Sequence, residues 1–209
     1  PTIPRPLGIR FKEILGELHE TIPHLVQKNQ YNCYPWLIRL FEEIANNYTN
    51  KTVIFTDGSK NQQGAGSAIV VDGVVHSWAL NPITSVYTAE QFALWKALVH
   101  IPVEPTNKTY LIVSDSLNAI NAVKDIYTRD PLARLCQGCL VDLSEHNVRP
   151  VFVWVPGHSG INGNEMVDRA AKIAITGPRI DEEHVKMTDV QCHLKQKIIE
   201  IWQGKWERQ

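Results

Sequence analysis

Hydrophobic spacing changes twice along the chain and divides it into three stretches. In residues 1–50, Ile14, Leu15, Leu18, Ile22 and Leu25 recur at near-helical spacing, interrupted by Gly16 and Pro23. Pro35 opens a second helix, with Trp36, Leu37, Leu40, Phe41 and Ile44 on one face. Such stripes need cover, so this helical N-terminal extension is expected to pack on the region that follows or on a neighbour. Asn46 to Asn50 is a turn-rich break.

From Lys51 the pattern becomes that of strands. Residues 52–56 form a short apolar strand stopped by Asp57 and Gly58, and 66–71 and 73–78 form two strands joined at Asp72-Gly73, a strong hairpin signal. Residues 88–100 follow as a helix that offers Phe92, Leu94, Trp95 and Leu98 for burial. The spacing then predicts a strand at 109–113, helices at 116–127 and 132–146, a buried strand at 150–155, a Gly/Asn-rich loop at 157–164 and a closing helix at 165–174. The order βββαβααβα describes an α/β unit: an antiparallel meander, then strands whose crossovers make them parallel to the first. Ligands in such sheets collect at the carboxyl ends of strands, where Asp57 and Asp115 both lie. Residues 177–209 read as a C-terminal helical extension from Thr188, with Val190, Leu194, Ile198, Ile201 and Trp202 in one stripe, and Trp202 and Trp206 docking on the domain.

Composition narrows this reading without redirecting it. The chain has 209 residues, 44% of them hydrophobic, enough for one domain with extensions. Its net charge of −1 gives no global basic footprint. Two divalent cations would turn that −1 into +3, so a polyanionic substrate remains compatible, with modest affinity. Cys136 and Cys139 have metal-site spacing but fall inside a helix, where burial as small apolar residues is the better account. With no signal peptide, the three glycosylation sequons read as chance and the expected location is intracellular, nuclear or cytoplasmic, away from membranes. A chain that starts at Pro1 also reads as a fragment of something longer.

The chemistry rests on four acids in distinct settings: Asp57 in Thr-Asp-Gly-Ser, Glu90 in Thr-Ala-Glu-Gln, Asp115 in Val-Ser-Asp-Ser, and Asp168 in Met-Val-Asp-Arg. Each sits at the end of an apolar run or on a helix, where an ionised carboxylate is unwelcome. If they converge, the cluster is stable only when protonated or loaded with cations. Hard oxygen donors favour Mg²⁺ or Mn²⁺, and a pair of such ions suits phosphodiester chemistry. Taken singly, each acid is better read as a solvated or capping carboxylate, and Asp115 before a helix is a natural N-cap.

Taken together, the blocks Thr56-Asp57-Gly58-Ser59, Ala89-Glu90, Ser114-Asp115-Ser116, and Pro156-Gly157-His158 through Asn164-Glu165 to Asp168 resemble the five active-site blocks of ribonuclease H, in family order, across residues 51–176. The resemblance implies the RNase H-like fold, with a five-stranded mixed sheet flanked by helices, and hydrolysis of the RNA strand of an RNA–DNA hybrid that leaves 5′-phosphate and 3′-hydroxyl ends. It implies two Mg²⁺ ions, replaceable by Mn²⁺, held by Asp57, Glu90, Asp115 and Asp168. Asp57 would bridge them, with Glu90 and Asp115 on the leaving-group side and Asp168 on the nucleophile side. His158, between Gly157 and Gly160, would shuttle protons or help product leave. Gly58, Ser59, Glu90 and Asn164 would face the hybrid, where the 2′-hydroxyl is the group to be read. Asn164 and Glu165 would also orient the last helix.

Finer features resemble the RNase H domains at the carboxyl end of arthropod non-LTR retrotransposon polyproteins. They are Ser-Asp-Ser-Leu-Asn-Ala-Ile, Asp-Arg-Ala-Ala-Lys, and flanks such as Arg5-Pro-Leu-Gly-Ile-Arg10 and Trp202-Gln-Gly-Lys-Trp206. A reverse transcriptase domain of the same polyprotein is then an expected partner. The sequence departs from cellular enzymes in three places. Residues 125–135 are too short for a basic protrusion, Leu117 stands where some enzymes have Gln, and Ser85, Val86 and Tyr87 replace an Asn pair before the Glu. The competing readings are a catalytically idle RNase H-like module that binds nucleic acid or braces a polymerase, and a two-metal nuclease with another substrate. Trp78, Trp95 and Trp154 offer themselves as stacking platforms, although Trp95 and Trp154 fit the core better.

Overall fold

The computed structural model describes the backbone of Leu18–Glu20 and residues 35–104, 107–177 and 180–207. In chain order the elements are β1 (Leu18–Glu20), α1 (Pro35–Asn46), β2 (Lys51–Lys60), β3 (Ala65–Val71), β4 (Val74–Leu80), α2 (Val86–His100), β5 (Thr109–Ser114), α3 (Leu117–Lys124), α4 (Pro131–Glu145), β6 (Val151–Trp154), α5 (Asn162–Ala174) and α6 (Met187–Trp206). The strands form one mixed sheet in the order β1-β6-β5-β2-β3-β4. The β2–β3–β4 meander is antiparallel, while β5 lies parallel to β2 and β6 parallel to β5.

All five expected strands form, and the differences lie at their margins. Leu18–Glu20, inside the stretch whose spacing predicted a helix, is instead a strand parallel to β6, in register Leu18↔Phe152 to Glu20↔Trp154. The open edge of β6 offers a row of backbone partners that local spacing does not foresee. The rest of that predicted helix lies outside the described residues. Asp57 and Gly58 do not stop β2, because β3 continues to pair with it through Asp57↔Ala68 to Lys60↔Ala65. The closing helix begins at Asn162, three residues before its predicted start.

Both faces of the sheet are covered, as the apolar runs in the parallel strands require. Ile54, Ile112 and Phe152 meet Leu94, Leu98, Ile120, Leu140 and Leu143 from α2, α3 and α4. On the reverse face, Leu111, Val113 and Val153 meet Ile38, Phe41 and Ile44 of α1, so α1 seals this domain as its apolar stripe demanded. Ala68 and Val70 pack against Val167, Ala170 and Ala171 of α5. Gly66 makes that contact possible, since a Cβ there would stand 2.3 Å from the Ala171 carbonyl oxygen.

Trp78, Trp95 and Trp154 are half-buried and pack against buried clusters, as expected for Trp95 and Trp154, and Trp78 joins them. Cys136 is buried on α4 and Cys139 half-buried, both as free thiols. The expected docking of the tail is not observed. In α6, Leu194, Ile198 and Ile201 are exposed, and Trp202 and Trp206 expose 65% and 72% of their surface. Beyond Val190 this helix projects away from the core, because the cover its stripe needs does not come from the described domain.

Candidate active site

The parallel register sets the geometry. Thr56 of β2 lies opposite Ser114 of β5, so Asp57 and Asp115 follow one residue further along adjacent strands. The Thr56 hydroxyl donates to the Val113 carbonyl at 3.3 Å, and the Trp154 indole N–H donates to the Asp115 carbonyl at 2.9 Å, tying the ends of the three strands together. Asp115 is not the cap of α3. Ser116 takes that position and makes no side-chain capping bond, which leaves the Asp115 carboxylate directed into the pocket.

Glu90 arrives from the second turn of α2. Gly58 makes this approach possible: a Cβ there would lie 2.3 Å from the Glu90 backbone nitrogen. The close approach that Gly58 permits is therefore to α2, and its N–H donates to the carboxylates of both Asp57 and Glu90. Ser59, next along β2, is half-buried. The Ser67 hydroxyl donates to the Ala89 carbonyl at 3.1 Å and fixes the same turn from β3.

Asp57, Glu90 and Asp115 thus present carboxylate oxygens within 4.8 Å of one another. Burial is the main force on all three. It pushes Asp57 up to about 8, with the charges of Asp115 and Asp168 adding to the effect. It holds Glu90 well above the usual carboxylate range, again reinforced by Asp57 and Asp115. Asp115 is raised by burial too, and an Asn164 side-chain hydrogen bond offsets part of that. Glu90 Oε2 is buried and has no hydrogen-bond partner. A cluster of hard oxygens with one oxygen left unpartnered is poorly satisfied by the protein itself and fits a divalent cation.

Asp168, on α5, is near enough for its charge to act on all three acids but does not join their group, contrary to the expected convergence of four acids. Its Oδ2 accepts from Lys172 Nζ at 2.8 Å. With Glu165 and His158 it forms a second group of donors within 4.8 Å. The His158 side chain is 63% exposed, its backbone is left-handed at φ 56°, and its Nδ1 stands 4.0 Å from Glu165 Oε2. Glu165 Oε1 accepts from the Gly160 N–H at 3.4 Å, which shapes the loop that carries the histidine. Asn164 is buried against Asp115 and does not face solvent. Gly157 passes close to Asp115, since a Cβ there would stand 2.8 Å from Asp115 Oδ2.

Two polar groups of this neighbourhood escaped the reading of the sequence. Lys172 faces Asp168 and also lowers the cost of ionising Asp57. Its i,i+4 spacing from Asp168 was a readable signal. Ser159, buried beside His158 in sequence with an unpartnered hydroxyl, had no such signal.

The RNase H family model matches residues 49–176, which span every one of these acids. The chain belongs to the RNase H family. It is also 29% identical over 159 residues to Pol polyproteins of equine infectious anemia virus, strain Wyoming and isolate 1369 among them. That alignment covers 76% of this chain but only 13% of each polyprotein, so the chain corresponds to a small part of those relatives.

Proposed function

We propose that this RNase H domain is an endoribonuclease that hydrolyses the RNA strand of RNA–DNA hybrids and leaves 5′-phosphate and 3′-hydroxyl ends. The observation that carries this reading is the trio of buried Asp57 and Glu90 and half-buried Asp115, raised in pKa and including an unpartnered carboxylate oxygen, with the charge of Asp168 nearby. A scaffold gains nothing from carboxylates held this way, since burying them without compensation costs folding energy.

Asp57, Glu90, Asp115 and Asp168 are the residues that would hold two Mg²⁺ ions, or Mn²⁺ in their place. Asp57 would be shared between the ions, Glu90 and Asp115 would serve the leaving-group side, and Asp168 the nucleophile side. Bound there, the ions would supply an acidified water and stabilise charge on the departing oxygen. The chain's own work is positional. Gly58 lets α2 bring Glu90 close to Asp57 and its N–H eases their ionisation, as the Asn164 side chain does for Asp115. His158, exposed on its strained loop, can take up or deliver a proton at its imidazole and can follow product outward. Ser59 and Glu90 would present the hybrid with backbone groups and a carboxylate able to sense a 2′-hydroxyl, whereas Gly58, buried against α2, and buried Asn164 would act by positioning Glu90 and Asp115.

The flanking motifs support a narrower origin, in the carboxyl-terminal region of an arthropod non-LTR retrotransposon polyprotein with a reverse transcriptase domain as partner. Among the described residues, no helix is long and apolar enough to cross a membrane. The test is cleavage of a labelled RNA–DNA hybrid beside duplex RNA and duplex DNA, with and without Mg²⁺. Metal-dependent cutting confined to the RNA of the hybrid is expected. Failure to cut with either Mg²⁺ or Mn²⁺ would favour an idle binding or polymerase-bracing module.

A further inference from the structure

The segment that follows α5 returns to the domain beyond the end of the family match at residue 176 and grips α2 beside Glu90. Asp181 accepts from the Ala79 N–H at 2.8 Å, and Glu182 pairs with Leu80 at the end of β4. Asp189, buried, accepts from the Ser85 N–H at 3.1 Å, and Ser85 is the N-cap of α2, its hydroxyl accepting from the Thr88 N–H. Lys186 has a side chain only 9% exposed. Its Nζ donates to both Asp130 oxygens, at 2.9 and 2.7 Å, and to Gln91 Oε1. Gln91 is fully buried and passes the contact on, donating to the Tyr87 hydroxyl at 2.9 Å. Lys186 also lies over the Tyr87 ring, 5.2 Å from its centroid.

Burying a lysine ammonium is costly unless it is fully paired, so this network is a specific device and not incidental tail packing. Its targets are the residues that flank Glu90: Ser85 and Tyr87 before it, Gln91 after it. From the sheet side the same turns are held by Gly58 and by the Ser67 hydroxyl. The start of α2 is thereby clamped from two sides, and the position and tilt of Glu90 follow from both.

We propose that residues 181–189 form a strap belonging to the catalytic unit, in which Lys186 and Asp189 are positioning residues for Glu90. Lys186 acts through Gln91 and Tyr87, and Asp189 through the N-cap Ser85. The proposal rests on Glu90 being part of the active site. Displacing a working group by about 1 Å typically costs rate on the order of tenfold to a hundredfold.

The experiment uses the full chain with Lys186→Met, which keeps the stem but removes the charge, and with the milder Lys186→Arg and Asp189→Asn. Hybrid cleavage, Mn²⁺ binding by calorimetry and thermal unfolding are measured on each. For Lys186→Met, kcat is expected to fall roughly tenfold with KM for hybrid nearly unchanged, Mn²⁺ to bind several-fold more weakly, and unfolding to remain cooperative. Lys186→Arg should recover part of both losses. Asp189→Asn should show a smaller loss in the same direction, and it decides the matter if Lys186→Met does not fold. Wild-type kcat and Mn²⁺ affinity in folded Lys186→Met, or in Asp189→Asn if that variant alone folds, would overturn the strap. A wild-type chain that binds no Mn²⁺ and cuts no hybrid would overturn the underlying function instead.

Discussion

Two sets of acidic side chains surround the first turns of α2, and they are treated in opposite ways. Asp130 and Asp189 lie on the side of the C-terminal strap and leave no buried oxygen unpartnered: Asp130 accepts from Lys186 and from the N–H groups of Leu132 and Ala133, and Asp189 from the Ser85 N–H. Asp57, Glu90 and Asp115 lie on the sheet side and are answered by the Gly58 N–H and by Asn164, with Glu90 Oε2 left over. The fold evidently can neutralise carboxylates at this helix end. Where it does not, stability is given up, which is the cost expected of the cation site proposed above.

The comparison is broken most directly at Asp57. Replacing it by Asn should lower hybrid cleavage about a thousandfold by removing the carboxylate both ions would share. The same change should raise the melting temperature of the metal-free protein at pH 8 by about 2–6 °C, because it removes a buried repulsive charge. Asp130→Asn should do the reverse at the closed set, lowering stability by stranding buried Lys186. If both substitutions destabilise alike, the two sets are not different in kind. Glu90→Gln should cost roughly a hundredfold in rate with little change in fold.

A pH series sharpens the same contrast. Asp57 titrates near 8 in the folded chain against an ordinary value of 3.8, and Glu90 and Asp115 are raised as well. Between those limits the folded state holds more protons than the unfolded one, so stability falls as pH rises. The metal-free melting temperature should therefore decline from pH 5 towards pH 8. Divalent cations bind the ionised form, so the stabilisation by saturating Mg²⁺ should grow over the same interval. A metal-free melting curve that stays flat across this range would contradict the raised carboxylates.

How much of this was readable beforehand follows from the distance over which each feature is decided. The four acids and His158 carry their surroundings with them, in short strand ends, a helix turn and a glycine-flanked loop, and the α/β order needed only local spacing. Features set by distant partners were not readable. Leu18–Glu20 has helical spacing and becomes a strand because β6, more than a hundred residues on, has an open edge. Lys186 and Asp189 look like ordinary tail charges, yet their partners Gln91 and Ser85 lie 95 and 104 residues away. Gly58 read as a turn or substrate-side glycine, and only the packing of α2 reveals the constraint upon it.

His158 offers a smaller effect that separates chemistry from metal holding. Its ring is exposed, and its nearest acid, Glu165, is 4.0 Å away, so removing it should leave the trio of Asp57, Glu90 and Asp115 intact. His158→Ala should slow turnover about tenfold to a hundredfold while Mn²⁺ affinity measured by calorimetry stays at the wild-type level. A matching loss of metal affinity would make His158 a ligand and would join the two donor groups into one.

The smallest effect is expected where the tail leaves the domain. Up to Asp189 it is held by polar contacts, with Asp189 buried and the Lys186 side chain nearly so; beyond Val190 its apolar stripe is exposed, with Leu194, Ile198, Trp202 and Trp206 facing outward. If the strap alone belongs to the catalytic unit, Trp202→Ser and Trp206→Ser should shift stability by no more than about 0.5 kcal/mol and leave hybrid cleavage unchanged. Thermal unfolding of the double variant checks this. A loss of several degrees would mean that the apolar stripe is covered in solution, and that the boundary of the folded unit lies at the end of α6 and not at its start.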